Sequence, residues 1–195
     1  MIATAFICGT SRIVTIRPGE HWYDGVSEND WHQEVAHLAD VPTNTMEQDM
    51  MVESARRWFR QVLLDLAHKL DVEEADGRTY LDNSLLMYTT EAGTITHTPN
   101  DIAVITIGGA GEYFNTGRYY DYRKRDDTSV ALPDDFLTVR PGVSYNQWLA
   151  TVLHSMGLPK SEWERPGEKG YGGTPGGFDS AVMQQASDPL PGMEA

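Results

Sequence analysis

The chain has 195 residues and carries 15 Lys and Arg against 29 Asp and Glu, which gives a formal net charge of −14. This length favours one domain or slightly more, with a core that forms without disulfides. The acidic balance argues against nucleic acids and anionic membranes as partners, because like charges repel. It is compatible with cation binding, although an acidic surface more often serves solubility. No stretch approaches the roughly 18 apolar residues of a membrane helix.

The first predicted element is a strand. Residues 3–16 are apolar and β-branched, with a break at Gly9, and this pattern predicts one bent strand or two short ones. Cys8, the single cysteine, lies in this run and is interpreted as a small core residue rather than a nucleophile. Globular domains usually begin with a polar lead-in, so we expect Met1 to be internal to a longer protein.

An irregular segment and a long helix follow. Residues 20–42 show neither a strand nor a helix period, which predicts a functional or covering loop. Thr45 and Gln48 fit a capping box that opens a long amphipathic helix. We expect this helix to cover a sheet. Its apolar positions recur at three-and-four spacing: Met46, Met50, Met51, Ala55, Trp58, Phe59, Val62, Leu63, Leu66, Ala67 and Leu70.

The remaining elements predict an α/β fold. After a turn at residues 76–78, residues 81–90 and 102–107 are nearly continuous apolar runs, which are typical of strands covered on both faces. Ser144 and Gln147 form a second capping box, and its helix stops at Gly157. The pattern therefore predicts a mostly parallel sheet with helices on both faces, in a domain at 1–163. Residues 164–195 are interpreted as a Gly/Pro-rich loop and tail.

One candidate metal-binding cluster follows the first buried strand. Glu91 comes directly after that strand, and His97 lies six residues later. Ligands of open α/β sheets sit beyond the carboxyl ends of strands, and carboxylate oxygen and imidazole nitrogen suit a divalent metal ion. The alternative is a solvated loop in which Glu91 caps a neighbouring helix.

The second cluster comprises Asp30, His32 and His37 in the irregular segment. In an Asp-x-His pair on extended backbone, alternate side chains share a face. Solitary surface histidines are the common alternative, but two clusters together favour a metal site, because hydrolase metal centres draw ligands from several loops. The glycines at 108–111 lack a phosphate-loop motif and indicate a tight strand exit. Arg118 suits either an anion clamp or a structural salt bridge.

Several segments, in this order, resemble the domain of unknown function 1552 family, a bacterial group related to the domain of unknown function 1501 proteins and placed with the alkaline phosphatase and sulfatase-like fold. The segments are residues 5–15, residues 81–88 leading to Glu91, His97, Gly108-Gly109-Ala110-Gly111, Thr116-Gly117-Arg118-Tyr119, Tyr145-Asn146-Gln147-Trp148-Leu149 and Met156-Gly157. The resemblance extends to about residue 163 and covers the C-terminal half of the family.

The resemblance implies the C-terminal part of an alkaline phosphatase-like core in an exported or periplasmic protein, completed by an N-terminal half. It implies metal ligands at Asp30, His32, His37, Glu91 and His97, and a metal-dependent hydrolase acting on a small anionic ester. The metal would polarise the ester and activate a nucleophile outside this chain. The alternatives are a non-catalytic exported binding or surface domain, and a truncated fragment without independent activity.

Overall fold

The computed structural model describes residues 1–17, 31–90, 101–123, 130–131, 138–139, 142–164 and 187–195. The chain divides into two compact units, Met1–Gly108 and Gly109–Ala195. The first unit is built mainly from helices and small strand pairs, and the second is built around one helix and the C-terminal segment. Each unit is described by itself below.

The chain begins with a helix, α1 (Ile2–Ile7), so the predicted N-terminal strand is wrong. Ala3 is buried and Phe6 packs against the same core, which places the two on one helical face. Helix formation by the alanines and burial of this face outweigh the strand preference of the β-branched residues. The helix ends before Gly9, whose φ is +67°. Cys8 is exposed at this end, which corrects its placement in the core.

Residues 32–39 are helical, so the prediction of an irregular loop is wrong for this part of it. A π-helical turn, π1 (His32–Ala36), continues directly into α2 (His37–Ala39). Val35 is buried at 2% exposure and anchors π1. A single short turn in which one apolar residue is buried leaves too little periodicity for sequence analysis to detect. Residues 20–30 of the predicted loop lie outside the described residues.

The predicted long helix is confirmed. It comprises α3 (Thr45–Trp58), a π-helical stretch π2 (Phe59–Leu64) and α4 (Asp65–Leu70), which follow one another without a gap. The predicted capping box is wrong, because the N-cap is Asn44 and its side chain makes no capping hydrogen bond. Gln48 Nε2 instead donates to the carbonyl oxygens of residues in the preceding turn, at 3.2 Å to Ala39 and 3.0 Å to Val41.

Short antiparallel strand pairs follow the helix. Strands β1 (Glu73–Ala75) and β2 (Arg78–Thr79) form a hairpin, and Asp76 and Gly77 between them both have positive φ, so the predicted turn is confirmed. Strands β3 (Leu86–Thr89) and β4 (Val104–Ile107) pair antiparallel, with Leu86 opposite Ile107. Strands β5 (Val130–Ala131) and β6 (Thr138–Val139) form a third antiparallel pair.

The predicted fold class is therefore wrong for the described residues, whose sheets are all two-stranded and antiparallel rather than a mostly parallel sheet with helices on both faces. The two apolar runs are strands as expected, but they pair with each other. Leu86 is buried while Met87 is 38% exposed, so successive residues face a core and solvent. An apolar run does not reveal whether its second face is covered, and this misled the inference of a parallel sheet.

The core of the first unit lies between the long helix, α1 and the β3–β4 pair. Its buried members are Ala3, Trp58, Leu63, Ala67, Leu70 and Leu86. The Trp58 and Tyr88 rings lie 5.0 Å apart between centroids, which joins the helix to β3. The long helix therefore covers a sheet as expected, but this sheet has only two strands and the helix covers one face of it.

The second unit contains α5 (Tyr145–Ser155) and α6 (Lys160–Trp163). The predicted closing helix is confirmed as α5, and Gly157 with φ +75° follows its end. Ser144 is the N-cap, but its side chain makes no capping hydrogen bond, so the second capping box is also wrong. Within the described residues, no helix has the length and apolar character needed to cross a membrane.

The C-terminal segment packs against α5 and the chain around Phe114. The Leu190 amide donates to Thr151 Oγ1 at 2.8 Å, and Leu190 is buried. Phe114 forms an antiparallel bridge with Glu194, and Tyr113 Oη donates to Glu194 Oε1 at 2.8 Å. These contacts hold residues 187–195 against the second unit, with Ser187 and Leu190 buried.

Alkaline pH is expected to destabilise the second unit through Tyr113. Burial, and then the Glu194 carboxylate, raise the pKa of Tyr113 from 10.0 to about 12. Between these values the unfolded chain releases the phenolic proton while the folded chain retains it, so stability falls as pH rises through this window. Urea unfolding at about pH 9 and about pH 11 measures this loss. Burial also raises the pKa of Tyr88 and Tyr122. Their effect on the pH dependence of stability is the same in the unmodified protein and in a variant that changes Tyr113 alone.

Tyr113→Phe is the matched variant, because it keeps the ring and removes the titrating hydroxyl. We expect a smaller loss of stability between the two pH values in this variant than in the unmodified protein. An equal loss in both proteins would contradict the assignment to Tyr113.

Candidate metal centre

Two imidazoles lie together on π1 and at the start of α2. His32 Nε2 and His37 Nε2 are 3.1 Å apart, and the ring centroids are 4.7 Å apart with the ring planes at 79°. His32 is exposed and His37 is half-buried, so solvent reaches the pair. The structure thus brings together two of the residues that the sequence analysis named as metal ligands.

The π-helical backbone is what brings these imidazoles together. The backbone N–H of His37 donates to the carbonyl oxygen of His32, which is the i to i+5 hydrogen bond of a π-helix. Five residues of α-helix turn by about 500°, which would leave the two side chains about 140° apart around the axis. With about 4.4 residues per turn, a π-helix leaves them about 50° apart. Such turns are rare and are frequently found at functional sites.

The nitrogen–nitrogen distance of 3.1 Å is that of a hydrogen bond between the two rings, and the ring geometry can be compared with that of two imidazoles bound to one ion. In a collinear N–H···N hydrogen bond of 3.1 Å the ring centroids would be about 5.4 Å apart. Two imidazoles that converge on one ion at an N–metal distance of about 2.05 Å, with the same 3.1 Å between nitrogens, place their centroids about 4.8 Å apart. The observed 4.7 Å fits convergence on one ion and also fits a bent N–H···N hydrogen bond between the two rings.

Three of the five predicted ligands, Asp30, Glu91 and His97, lie outside the described residues. Within the part of the chain that the structure describes, no group of three or more His, Cys, Asp or Glu side chains is arranged to hold a metal ion. In the described structure, His32 and His37 are therefore two candidate ligands without a third beside them among His, Cys, Asp and Glu. A metal ion bound there would take its remaining ligands from solvent or from the residues that the sequence analysis proposed.

The geometric reason that the sequence analysis gave for Asp30 and His32 does not fit the backbone at His32. It placed an Asp-x-His pair on extended backbone, whereas His32 begins a π-helical turn. The signal in the sequence is the spacing of five residues between His32 and His37. In an α-helix this spacing places the two side chains on different faces, so it indicates a histidine pair only in a π-helical turn.

Other polar candidates lie elsewhere. Arg118 is exposed and makes no ion pair with another described residue, so its predicted roles as anion clamp or salt-bridge partner stay predictions. The glycines after β4 form a tight strand exit, which confirms that expectation: Gly108 has φ +95° and Gly111 has φ +70°. His68 is exposed on α4. His154 on α5 places its ring 6.4 Å from that of Trp163.

Comparison with known proteins supplies no relative. No protein-family model, no curated protein and no solved structure matches the chain.

Proposed function

We propose that the chain binds a divalent transition-metal ion through Nε2 of His32 and Nε2 of His37. The observation that carries this proposal is the proximity of the two rings, with nitrogens 3.1 Å and centroids 4.7 Å apart, a spacing that a single ion can bridge. Neutral imidazole is a ligand for zinc, copper, iron and nickel, whereas calcium and magnesium prefer oxygen. The chain has 29 acidic and 15 basic residues, and the resulting net charge of −14 favours the approach of a cation.

The resemblance to the domain of unknown function 1552 family supports a catalytic role for this metal ion. In the proposed function, the chain contributes to an exported hydrolase, in which the ion would polarise a phosphate or sulfate ester. Asp30, Glu91 and His97 are proposed as further ligands from the sequence alone. The fold supplies no support for this activity, because the described sheets are antiparallel pairs. The hydrolase proposal depends on the metal site and on the resemblance.

A non-catalytic metal-binding domain is the alternative that the same geometry favours. The imidazole pair binds an ion in either case, and only turnover separates the two proposals. Release of phosphate or sulfate from an aryl ester, assayed with the metal-loaded chain, tests the hydrolase proposal. Absence of turnover with the metal bound would show that this chain by itself binds the ion without catalysing hydrolysis.

Replacing either of the paired imidazoles is expected to weaken metal binding. Zn²⁺, Ni²⁺ and Cu²⁺ are titrated separately into the metal-free full-length chain by calorimetry. We expect a single site whose affinity falls at least about tenfold in His32→Ala and in His37→Ala, because each substitution removes one nitrogen ligand. Acid should weaken binding, because protons compete with the ion for imidazole nitrogen.

The control is His68→Ala, which removes an exposed histidine from α4 and should leave the affinity unchanged. Asp30→Ala, Glu91→Ala and His97→Ala, measured in the same way, identify the further ligands. Equal affinity in the unmodified protein and in the double variant of His32 and His37 would overturn the proposed function.

A further inference from the structure

We infer that metal binding is coupled to the π-helical register of π1, so that the ion holds this turn closed and is lost when the turn becomes α-helical. The inference rests on the proposed function and concerns the regulation of the same site. The same two residues form the π-helical hydrogen bond and the candidate metal site: the His37 amide donates to the His32 carbonyl oxygen, and the two Nε2 atoms lie 3.1 Å apart.

The coupling follows from helix geometry. A change from π-helix to α-helix over residues 32–37 would rotate His37 relative to His32 by about 90° around the axis. Such a rotation separates the two Nε2 atoms beyond the reach of a single ion. A ligand that binds one of two conformations shifts the population towards that conformation, so a bound ion stabilises the π turn and breaking the turn releases the ion.

The turn is anchored between the two histidines and on their C-terminal side. Val35, between the two histidines, is buried at 2% exposure. On the C-terminal side, Gln48 Nε2 of α3 donates to the Ala39 carbonyl oxygen at 3.2 Å, and Asn44 Nδ2 donates to the Leu38 carbonyl oxygen at 3.1 Å. These contacts resist rotation of one histidine about the axis while the other stays in place. The protein itself therefore favours the register that the ion needs.

Moving one histidine to a spacing of three residues tests the register. The variant His32→Ala/Glu34→His places imidazoles at 34 and 37, which lie about 60° apart around an α-helix but about 115° apart around a π-helix. If the π turn is maintained, this variant should bind Ni²⁺ or Zn²⁺ at least about tenfold more weakly than the unmodified chain. Glu34→His alone should bind as the unmodified chain does, which shows that position 34 tolerates the new side chain.

Hydrogen exchange gives an independent measurement of the same coupling. Saturating Zn²⁺ should slow exchange of the His37 amide, the donor of the π-helical hydrogen bond, in the unmodified chain. It should leave this amide unaffected in His32→Ala.

The outcomes separate the two proposals. If the moved pair binds as tightly as the natural pair, the register inference is overturned while the proposed function stands. If metal binding survives in the double alanine variant of His32 and His37, the proposed function fails first. Unchanged exchange at His37 in a chain shown to bind zinc through both histidines would also overturn the register inference.

Discussion

Leu70→Ala is expected to lower the free energy of unfolding of the first unit by about 2–5 kcal/mol. Leu70 is the last residue of α4, is 1% exposed, and belongs to the core between the long helix, α1 and β3. Its truncation removes buried apolar contacts and leaves a cavity that a packed core fills only partly. A loss near the upper end of this range would be comparable to the entire stability of a marginal domain.

The measurement is urea unfolding of the full-length chain, followed by far-UV circular dichroism, together with hydrogen exchange of the slowest amides in α3 and α4. Exchange in these helices reports the first unit separately from the second. Val52→Ala is the control, because Val52 lies on the same helix and is 56% exposed. We expect it to change stability by no more than about 0.5 kcal/mol. Similar losses in both variants would contradict the description of the core.

Gly108→Ala is expected to lower stability by more than about 3 kcal/mol, because it combines two separate costs. Gly108 has φ +95°, and a left-handed backbone costs a residue with a side chain about 1–2 kcal/mol. A Cβ at this position would also lie 2.3 Å from the Ser84 carbonyl oxygen and 2.7 Å from the Leu81 carbonyl oxygen. Both are backbone atoms, so relief of the clash requires a shift of the loop before β3.

Gly77→Ala is the matched control within the same unit. Gly77 also has a positive φ, +78°, but nothing lies within 4 Å of an ideal Cβ there. It should therefore show only the backbone cost, about 1–2 kcal/mol, and the difference between the two variants isolates the steric contact. The same urea and exchange measurements apply. A loss in Gly108→Ala no larger than that in Gly77→Ala would mean that the Ser84 contact is absent.

Local pattern predicted the long helix and the turn at Gly77 because both depend on residues close together in the chain. The period of the apolar residues from Met46 to Leu70 is a property of the helix itself. The two predicted capping boxes are wrong because the motif is short and its side chains have other partners. A Thr or Ser three positions before Gln satisfies the motif, but Gln48 donates to carbonyl groups of the preceding turn instead. Such side chains have several partners of similar energy.

At the candidate site, the sequence predicted the residues but not their arrangement. Sequence analysis named His32 and His37 from their chemistry, and imidazole is a metal ligand in any fold. It did not predict that they would converge, because convergence depends on a π-helical hydrogen bond between these two residues. Asp30, Glu91 and His97 stay predictions from the sequence, since they lie outside the described residues.

The amino-acid sequence alone determined the acidic character of the chain, the position and length of its main helix, the positions of two strands and the imidazole chemistry of the candidate site. These follow from composition and from short-range periodicity. The tertiary structure decided that β3 and β4 pair with each other, that residues 2–7 form a helix, and that His32 and His37 face one another. The pairing of β3 with β4 and the burial of one face of α1 depend on contacts between residues distant in the chain, and the π turn depends on contacts with Asn44 and Gln48. None of these is encoded in a local repeat.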